Sequence, residues 1–308
     1  MRKSFKASFG ALLMAGASVC VTTAMARPMT AADLATLKRL DAPAVSPNEK
    51  WVAFQVTETE QETYDRSSAL YLLDLYTPNA TPIRIADKPD ASEHSPAFSS
   101  DGNTLFYLSD KSGSEQLWHI AISARGQEGK PVQVSDLTTD IAGFKLSPTD
   151  KKVAVWGDIA KDCPTFGCDE KGSIGNGNRA DPGPGTGREY DELFIRHWSS
   201  WETPGNYSRI FAFDITNGKL SGNGIALDGD LVGDSPSKPF GGGEEITWMP
   251  DGNALLFTSD RGGKPQIYKV SARGGPTQRI TYEGNYNARA RAIPDGTGIV
   301  MIHRRYGK

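Results

Sequence analysis

One phrase is written twice in this chain. The first copy is Ser95-Pro-Ala-Phe-Ser-Ser-Asp-Gly102, an apolar run from Thr104 to Leu108, Ser109-Asp-Lys-Ser-Gly113, and Gln116-Leu-Trp-His-Ile120. The second is Ile246-Thr-Trp-Met-Pro-Asp-Gly252, a run from Ala254 to Phe257, Ser259-Asp-Arg-Gly-Gly263, and Gln266-Ile-Tyr-Lys-Val270. Each reads as two strands joined by an Asp-Gly turn, a polar turn, and a third strand, the pattern of a propeller blade. Degenerate copies precede Trp51-Val-Ala-Phe54, Val153-Ala-Val-Trp156 and Ile299-Val-Met-Ile302. Taking Glu49, Asp101, Asp150, Asp251 and Asp295 as equivalent turn residues, the steps are 52, 49, 101 and 44 residues. Three of these fit one four-stranded blade each. The long one holds either two blades or one blade with a large insertion. The expected fold is all-β, a propeller of four-stranded blades.

The 33 Gly and 19 Pro suit many short strands joined by turns. A net charge of -3 with mixed signs offers no basic stripe, so nucleic acid is not an expected partner. Residues 1–26 read as a signal peptide: Arg2, Lys3 and Lys6, an apolar stretch from Phe9 to Val21, and the small-residue site Ala24-Met-Ala26. The apolar stretch is well under the ~20 residues that cross a bilayer, so no membrane span is expected and the location read from it is periplasmic or secreted. Cys20 follows Val19, where a lipoprotein site would want a small residue. Cys163 and Cys168, close together in a loop with Pro and Gly, then read as a disulfide closing a small ring. The four histidines are scattered at spacings that match no zinc pattern, so no metal site is expected.

Between Gly172 and Gly187 the chain is rich in Gly and Pro and poor in apolar residues. Its Gly175-x-Gly177-x-x-Ala180 has no strand before it and no helix after it, so no dinucleotide or other cofactor is expected. Arg188-Glu-Tyr-Asp-Glu-Leu-Phe-Ile-Arg-His-Trp-Ser-Ser-Trp201 follows, the densest aromatic and charged segment. Tyr190, Phe194, His197 and Trp201 are spaced by 4, 3 and 4, which predicts one face of a helix or helical turn, with Glu189, Asp191, Glu192 and Arg196 facing elsewhere. Two readings stay open. Either the aromatics pack this insertion on the propeller while its charges are solvated, or its carboxylates face a cavity and hold a cationic group such as a peptide's free N-terminus. There is no Gly-x-Ser-x-Gly and no His-Glu-x-x-His, so no catalytic residue is assigned and the chain by itself is expected to catalyse nothing.

Asp162-Cys-Pro-Thr-Phe-Gly-Cys168, Tyr190-Asp-Glu-Leu-Phe-Ile-Arg-His-Trp198 with Trp201, and Asp234-Ser-Pro-Ser-Lys-Pro-Phe-Gly-Gly242 resemble the propeller part of exported serine peptidases of the prolyl oligopeptidase family, in its dipeptidyl peptidase V and acylaminoacyl-peptidase branch. That resemblance covers residues 27–245, with an insertion at 160–207. It implies a propeller capping an α/β-hydrolase domain whose Ser, Asp and His release dipeptides from free N-termini, a domain that would follow Lys308. It also implies Glu189, Asp191 and Glu192 as candidates for the substrate amine, with Tyr190, Arg196 and Trp198 shaping the pocket. From 246 to 308, Thr258-Ser-Asp-Arg-Gly-Gly-Lys-Pro-Gln-Ile-Tyr268 and Arg279-Ile-Thr-Tyr-Glu-Gly-Asn-Tyr-Asn-Ala-Arg289, with Met301-Ile-His-Arg304, resemble the propeller of TolB, which implies a protein partner such as the lipoprotein Pal. The last unit reaches Lys308 after its second strand, so a truncated or chimeric product is expected.

Overall fold

The computed structural model describes residues 27–41, 43–86, 91–168, 190, 195–197, 200–203, 205–229 and 233–305. The signal-peptide segment and the Gly-rich stretch lie outside them. Among the described residues, after a one-and-a-half-turn helix, α1 (Ala31–Thr36), everything regular is strand apart from one 3₁₀ turn. The first blade holds β1 (Arg39–Leu40), β2 (Ala44–Val45), β3 (Trp51–Thr59), β4 (Arg66–Asp74) and β5 (Ile83–Ile85), with β1 and β2 pairing successive parts of β3. The second blade is β6 (Glu93–Phe98), β7 (Thr104–Ser109), β8 (Gln116–Ser123) and β9 (Gly126–Gln133). The third is β10 (Gly143–Leu146), β11 (Lys152–Ala160), β14 (Asn206–Thr216) and β15 (Lys219–Ala226); a small hairpin, β12 (Arg196–His197) and β13 (Ser200–Trp201), sits in its insertion. The fourth is β16 (Ile246–Trp248), β17 (Ala254–Ser259), β18 (Gln266–Ser271) and β19 (Gln278–Arg279), followed by the hairpin β20 (Tyr286–Ala292) and β21 (Ile299–Arg304). Among the described residues every strand pairing is antiparallel and each blade is built from one stretch of chain, so the molecule is a four-bladed propeller array with a further hairpin packed on its last blade.

The 101-residue step therefore holds one blade with an insertion. Ala160 pairs with Asn206 across β11 and β14, and the excursion leaves and returns at that rung.

The turn that opens each unit recurs in atomic detail. In Ser46–Glu49, Ser99–Gly102, Ser147–Asp150, Met249–Gly252 and Ile293–Gly296 the fourth N–H donates to the first carbonyl at 2.8 to 3.0 Å. The fourth residue is left-handed every time, with φ between 55° and 74°. This corrects the alignment used above. The equivalent third residues are Asn48, Asp101, Thr149, Asp251 and Asp295, giving steps of 53, 48, 102 and 44. In the first three turns the buried Ser46, Ser99 and Ser147 hydroxyls accept from Trp51, Thr104 and Lys152 N–H, tying the turn to the second strand. Asp101, Asp251 and Asp295 each accept from the N–H two residues on, which holds their carboxyls below the usual range, led at Asp101 by the Ser99 hydroxyl.

The core lies between blades. On β11, Val153 and Val155 face the second blade, packing with Phe106, Leu108 and Leu117, while Ala154 and Trp156 face the fourth, packing with Trp248, Leu255 and Phe257. On β7, Leu105 and Tyr107 meet Leu70 and Leu72 of the first blade, and Phe106 and Leu108 turn the other way. Alternate side chains thus go to opposite neighbours, and the middle strands are apolar on both faces. The hairpin after the fourth blade joins in the same way, with Ala290, Ile299 and Met301 against Leu256 and Ile267.

A buried ion pair fixes the base of the insertion. Arg209 on β14 lies 2.6 Å from Asp228, and both are under a tenth exposed. Its Nη1 also donates to the carbonyls of Ala160, Lys161 and Cys163 at 2.9, 3.2 and 2.7 Å.

Two outcomes follow from this framework. Glu49 is an exposed non-glycine residue at φ 58°, and three of its four equivalents, Gly102, Gly252 and Gly296, are glycine; Glu49→Gly is expected to stabilise by up to about 1 kcal/mol, read as a higher urea midpoint at unchanged slope. Arg209→Met leaves the Asp228 charge buried and unpaired, and the same titration should show a loss of about 3–5 kcal/mol.

Candidate functional site

The inner strands of the second and third blades, with segments of the first blade and of the loop before the fourth, line a cavity of about 820 Å³ on the propeller axis. Its wall is built from Asp41 and Pro43 of the first blade, Ser95 to Phe98 of the second, Gly143 to Leu146 with Trp156 and Asp158 of the third, and the segment Pro236 to Gly243. Trp156 reaches this wall because its cross-strand partner is Gly143. A Cβ there would stand 2.1 Å from the indole, so only glycine lets the ring lie across β10. The ring continues beneath Gly243, 3.3 Å from where that residue's Cβ would be.

Asp234 to Gly243 is a compact loop. Ser208 N–H donates to Asp234 at 2.7 Å, and Ser208 carbonyl accepts from Ser235 N–H at 2.7 Å. Ser237 donates to Glu245 through both its N–H and its hydroxyl, each at 2.8 Å. The Ser235-Pro236 and Lys238-Pro239 peptides are cis. Gly241 turns back on the loop so tightly that a Cβ would meet the Ser237 carbonyl at 2.3 Å.

This loop carries Lys238 into a nest of carboxylates. Its ammonium lies 2.8 Å from Asp158 on β11, 2.9 Å from Glu202 of the insertion and 3.5 Å from Asp234. Burial alone would push the ammonium down, but Asp158 and Asp234 attract it and Asp158 and Glu202 accept its hydrogen bonds, so it is held well above the usual lysine range. Burial pushes Asp234 up, and Lys238 with the Ser208 N–H offsets this only in part. Burial likewise raises Glu245 against its Ser237 hydrogen bonds. Among the described residues one cation faces three carboxylates, so the nest carries excess negative charge beside the cavity.

The insertion rises from a rigid foot. Cys163 and Cys168 are joined in a disulfide with Cα atoms 5.7 Å apart. Within the ring Phe166 meets Phe211 edge-on at 5.5 Å, and Thr138 hydroxyl donates to the Gly167 carbonyl at 2.9 Å. Cys163 and Phe166 are buried in the core between the second and third blades, so the ring is rooted in the propeller.

The returning limb departs from the helical expectation. Arg196 pairs with Trp201, and His197 with Ser200, as antiparallel strands. Tyr190 stacks on Trp201 at 6.4 Å from one side, while Arg196 lies 5.2 Å from its ring centre. A cross-strand cation–aromatic pair and a stacked tyrosine do here what the 4, 3, 4 spacing assigned to a helix face. Tyr190 hydroxyl donates to the Glu202 carbonyl at 2.8 Å, and the Glu202 carboxylate is the one that reaches Lys238. Of the residues singled out in the sequence, Tyr190 and Arg196 are thus brought together one residue away from the nest. Glu189, Asp191, Glu192 and Trp198 lie outside the described residues.

Asp158, Glu202, Asp234, Lys238 and Lys145 were missed as site residues. Asp158 gave a signal: it is a carboxylate inside an otherwise apolar strand from Val153 to Ile159. Lys238, between two prolines and ahead of three glycines, gave another.

Residues 237–308 match the TolB beta propeller domain family. The chain is 27% identical over 278 residues to dipeptidyl-peptidase 5 of Porphyromonas gingivalis, covering 87% of this chain and 37% of that protein. It is 24% identical over 292 residues to dipeptidyl-peptidase 5 of Aspergillus fumigatus, covering 91% and 38%. The chain thus spans under two-fifths of the length of these relatives. An alignment that takes in 91% of 308 residues runs past residue 246, so the likeness to these peptidases continues into the part that also matches TolB. Among solved structures, an acylaminoacyl peptidase from Pyrococcus horikoshii superposes with a TM-score of 0.51 at 12% identity, over 83% of this chain and 34% of that one, which is a likeness of fold. The chain is a β-propeller related to those of dipeptidyl and acylaminoacyl peptidases and to that of TolB. No helix among the described residues is long and apolar enough to cross a membrane.

Lys238→Met should leave the blades folded but loosen the insertion, seen as faster proteolytic cutting within 161–205 at unchanged far-ultraviolet dichroism. The pH dependence has a defined sign. A lysine whose folded value is raised contributes stability that is whole below its usual 10.5 and lost as pH climbs through the higher folded value. The stability difference between wild type and Lys238→Met should therefore stay level from neutral pH to about that point and shrink above it.

Proposed function

We propose that this chain is the substrate-gating propeller of an exported serine peptidase of the prolyl oligopeptidase family, a dipeptidyl or acylaminoacyl peptidase whose α/β-hydrolase domain lies outside these residues. The observation that carries the reading is the continuous similarity to dipeptidyl-peptidase 5 over 87 and 91% of the chain. The axial cavity, walled in part by inner strands and joined to the insertion where Glu202 meets the lining residue Lys238, supports it as a path of peptide dimensions. In this reading Glu189, Asp191 and Glu192 receive the substrate's free amine, while Tyr190, Arg196 and Trp198 shape the pocket. The excess negative charge around Lys238 favours the approach of an ammonium group to the same rim. Secretion to the periplasm or outside the cell follows from the signal peptide read in residues 1–26.

A second reading has its own support. The match of residues 237–308 to the TolB propeller suggests a non-catalytic periplasmic module that binds a protein such as Pal.

The test uses the product that the source cell makes, with whatever chain accompanies this segment. Hydrolysis of dipeptidyl arylamides, blocked by a serine-directed reagent and with selectivity for the free amine reduced by Glu192→Gln, is the expected outcome. No hydrolysis, together with retention of the protein on immobilised Pal, would replace the peptidase reading with the binding one.

A further inference from the structure

Two lysines line the axial cavity, and their surroundings are opposite. Lys238 is enclosed by Asp158, Glu202 and Asp234. Lys145, on the inner strand β10, has no such company. Its ammonium makes a single hydrogen bond among the described residues, to the Gly243 carbonyl at 3.2 Å, which uses one of its three N–H donors. The carboxylate that attracts it, Glu244, is already engaged, because it accepts from Arg289 at 3.3 Å. Arg291 adds a third cation on this side, donating to the Glu244 backbone carbonyl at 2.8 Å. Burial pushes the Lys145 ammonium down and repulsion from Arg291 pushes it further, with Glu244 opposing in part. A cation in this setting gains from an anion more than an exposed lysine does, because part of its hydration is already lost.

The position is also fixed. Lys145 pairs with Ala154 across β10 and β11, and its carbonyl accepts from the Trp248 indole of the next blade at 2.9 Å. The ammonium is thus presented from a strand clamped on both sides.

We propose that Lys145 is the anion-recognising residue of this cavity and that its ligand is the C-terminal carboxylate of a short peptide. The cavity wall selects that class. Pro96, Phe98 and Phe144 offer apolar contact for side chains, while Asp41 and Asp158 on the same wall oppose a dianionic phosphate. With the acidic nest around Lys238 on the same wall, a short peptide finds an electropositive contact for one terminus and an electronegative one for the other. The assignment rests on the reading of the cavity as a peptide path, and it deepens that reading by naming which end of the peptide meets Lys145.

The experiment is calorimetric titration of the protein, at neutral pH, with acetyl-Ala-Ala-Phe as the free acid and as its C-terminal amide. Acetylation removes the amine charge, so the pair differs only at the carboxylate. The acid should bind about tenfold more tightly than the amide. Lys145→Met and Lys145→Gln should both erase that preference while leaving amide affinity within about twofold, and Lys145→Arg should keep it. The glutamine variant retains a donor for the Gly243 carbonyl, and the wild-type comparison stands even if neither neutral variant folds. Equal binding of acid and amide by the wild type, or a preference that survives both neutral variants, overturns the role of Lys145 and leaves the peptide path intact. Binding of neither peptide removes the path and the role together.

Discussion

The structure depends on strands that are apolar on both faces. A sheet with one wet face folds on a single core, but β7, β11 and β17 have none to spare, since alternate side chains go to opposite neighbours. A blade therefore cannot bury itself, and each is completed by the blade or blades beside it. The placement of polar groups follows. Polar groups are few on these middle strands, and Asp158 on β11 is an exception that faces the cavity, where it joins Lys145 of an inner strand and Lys238 of the loop before the fourth blade.

The third blade shows how a repeat accepts a departure. Its strand ladder is regular from Lys152 to Ala160, and the disulfide ring, Phe166 and the Arg209 contacts then convert the first residues of the insertion into an extension of the core. Only beyond that foot does the chain take up its aromatic hairpin. Among the described residues the hairpin is tied to the propeller by the Glu202 carboxylate, bound to a lysine on a loop that is itself held to β14 by Ser208.

Much of the fold was legible because propeller turns demand particular backbone geometry. Asp101-Gly102 and Asp251-Gly252 announce a left-handed residue after an aspartate that caps its own turn, and both were read correctly. Glu49 and Asp150 occupy the same left-handed position without glycine, so the aspartate of the third blade was aligned one residue late and the turn of the first blade was set on its glutamate. The aromatic spacing from Tyr190 to Trp201 fits a helix as a pattern, but a two-residue ladder with a cation–aromatic cross-strand pair satisfies the same residues, and local spacing does not distinguish them. The lysine nest was not legible at all as a unit. Asp158, Glu202 and Lys238 are separated by 44 and 36 residues and meet only because the strand order brings β11, the insertion and the loop before β16 to one rim.

The rung at Ala160 and Asn206 has an evolutionary consequence. An excursion whose ends are adjacent partners in a ladder is a closed loop, and each doubling of such a loop costs only about 0.6 kcal/mol of chain entropy. Residues can be gained, lost or exchanged beyond the disulfide foot while the ladder beneath keeps its register. The rim of the cavity can therefore diversify faster than the wheel that carries it, and lineages sharing these blades are free to differ in what they admit.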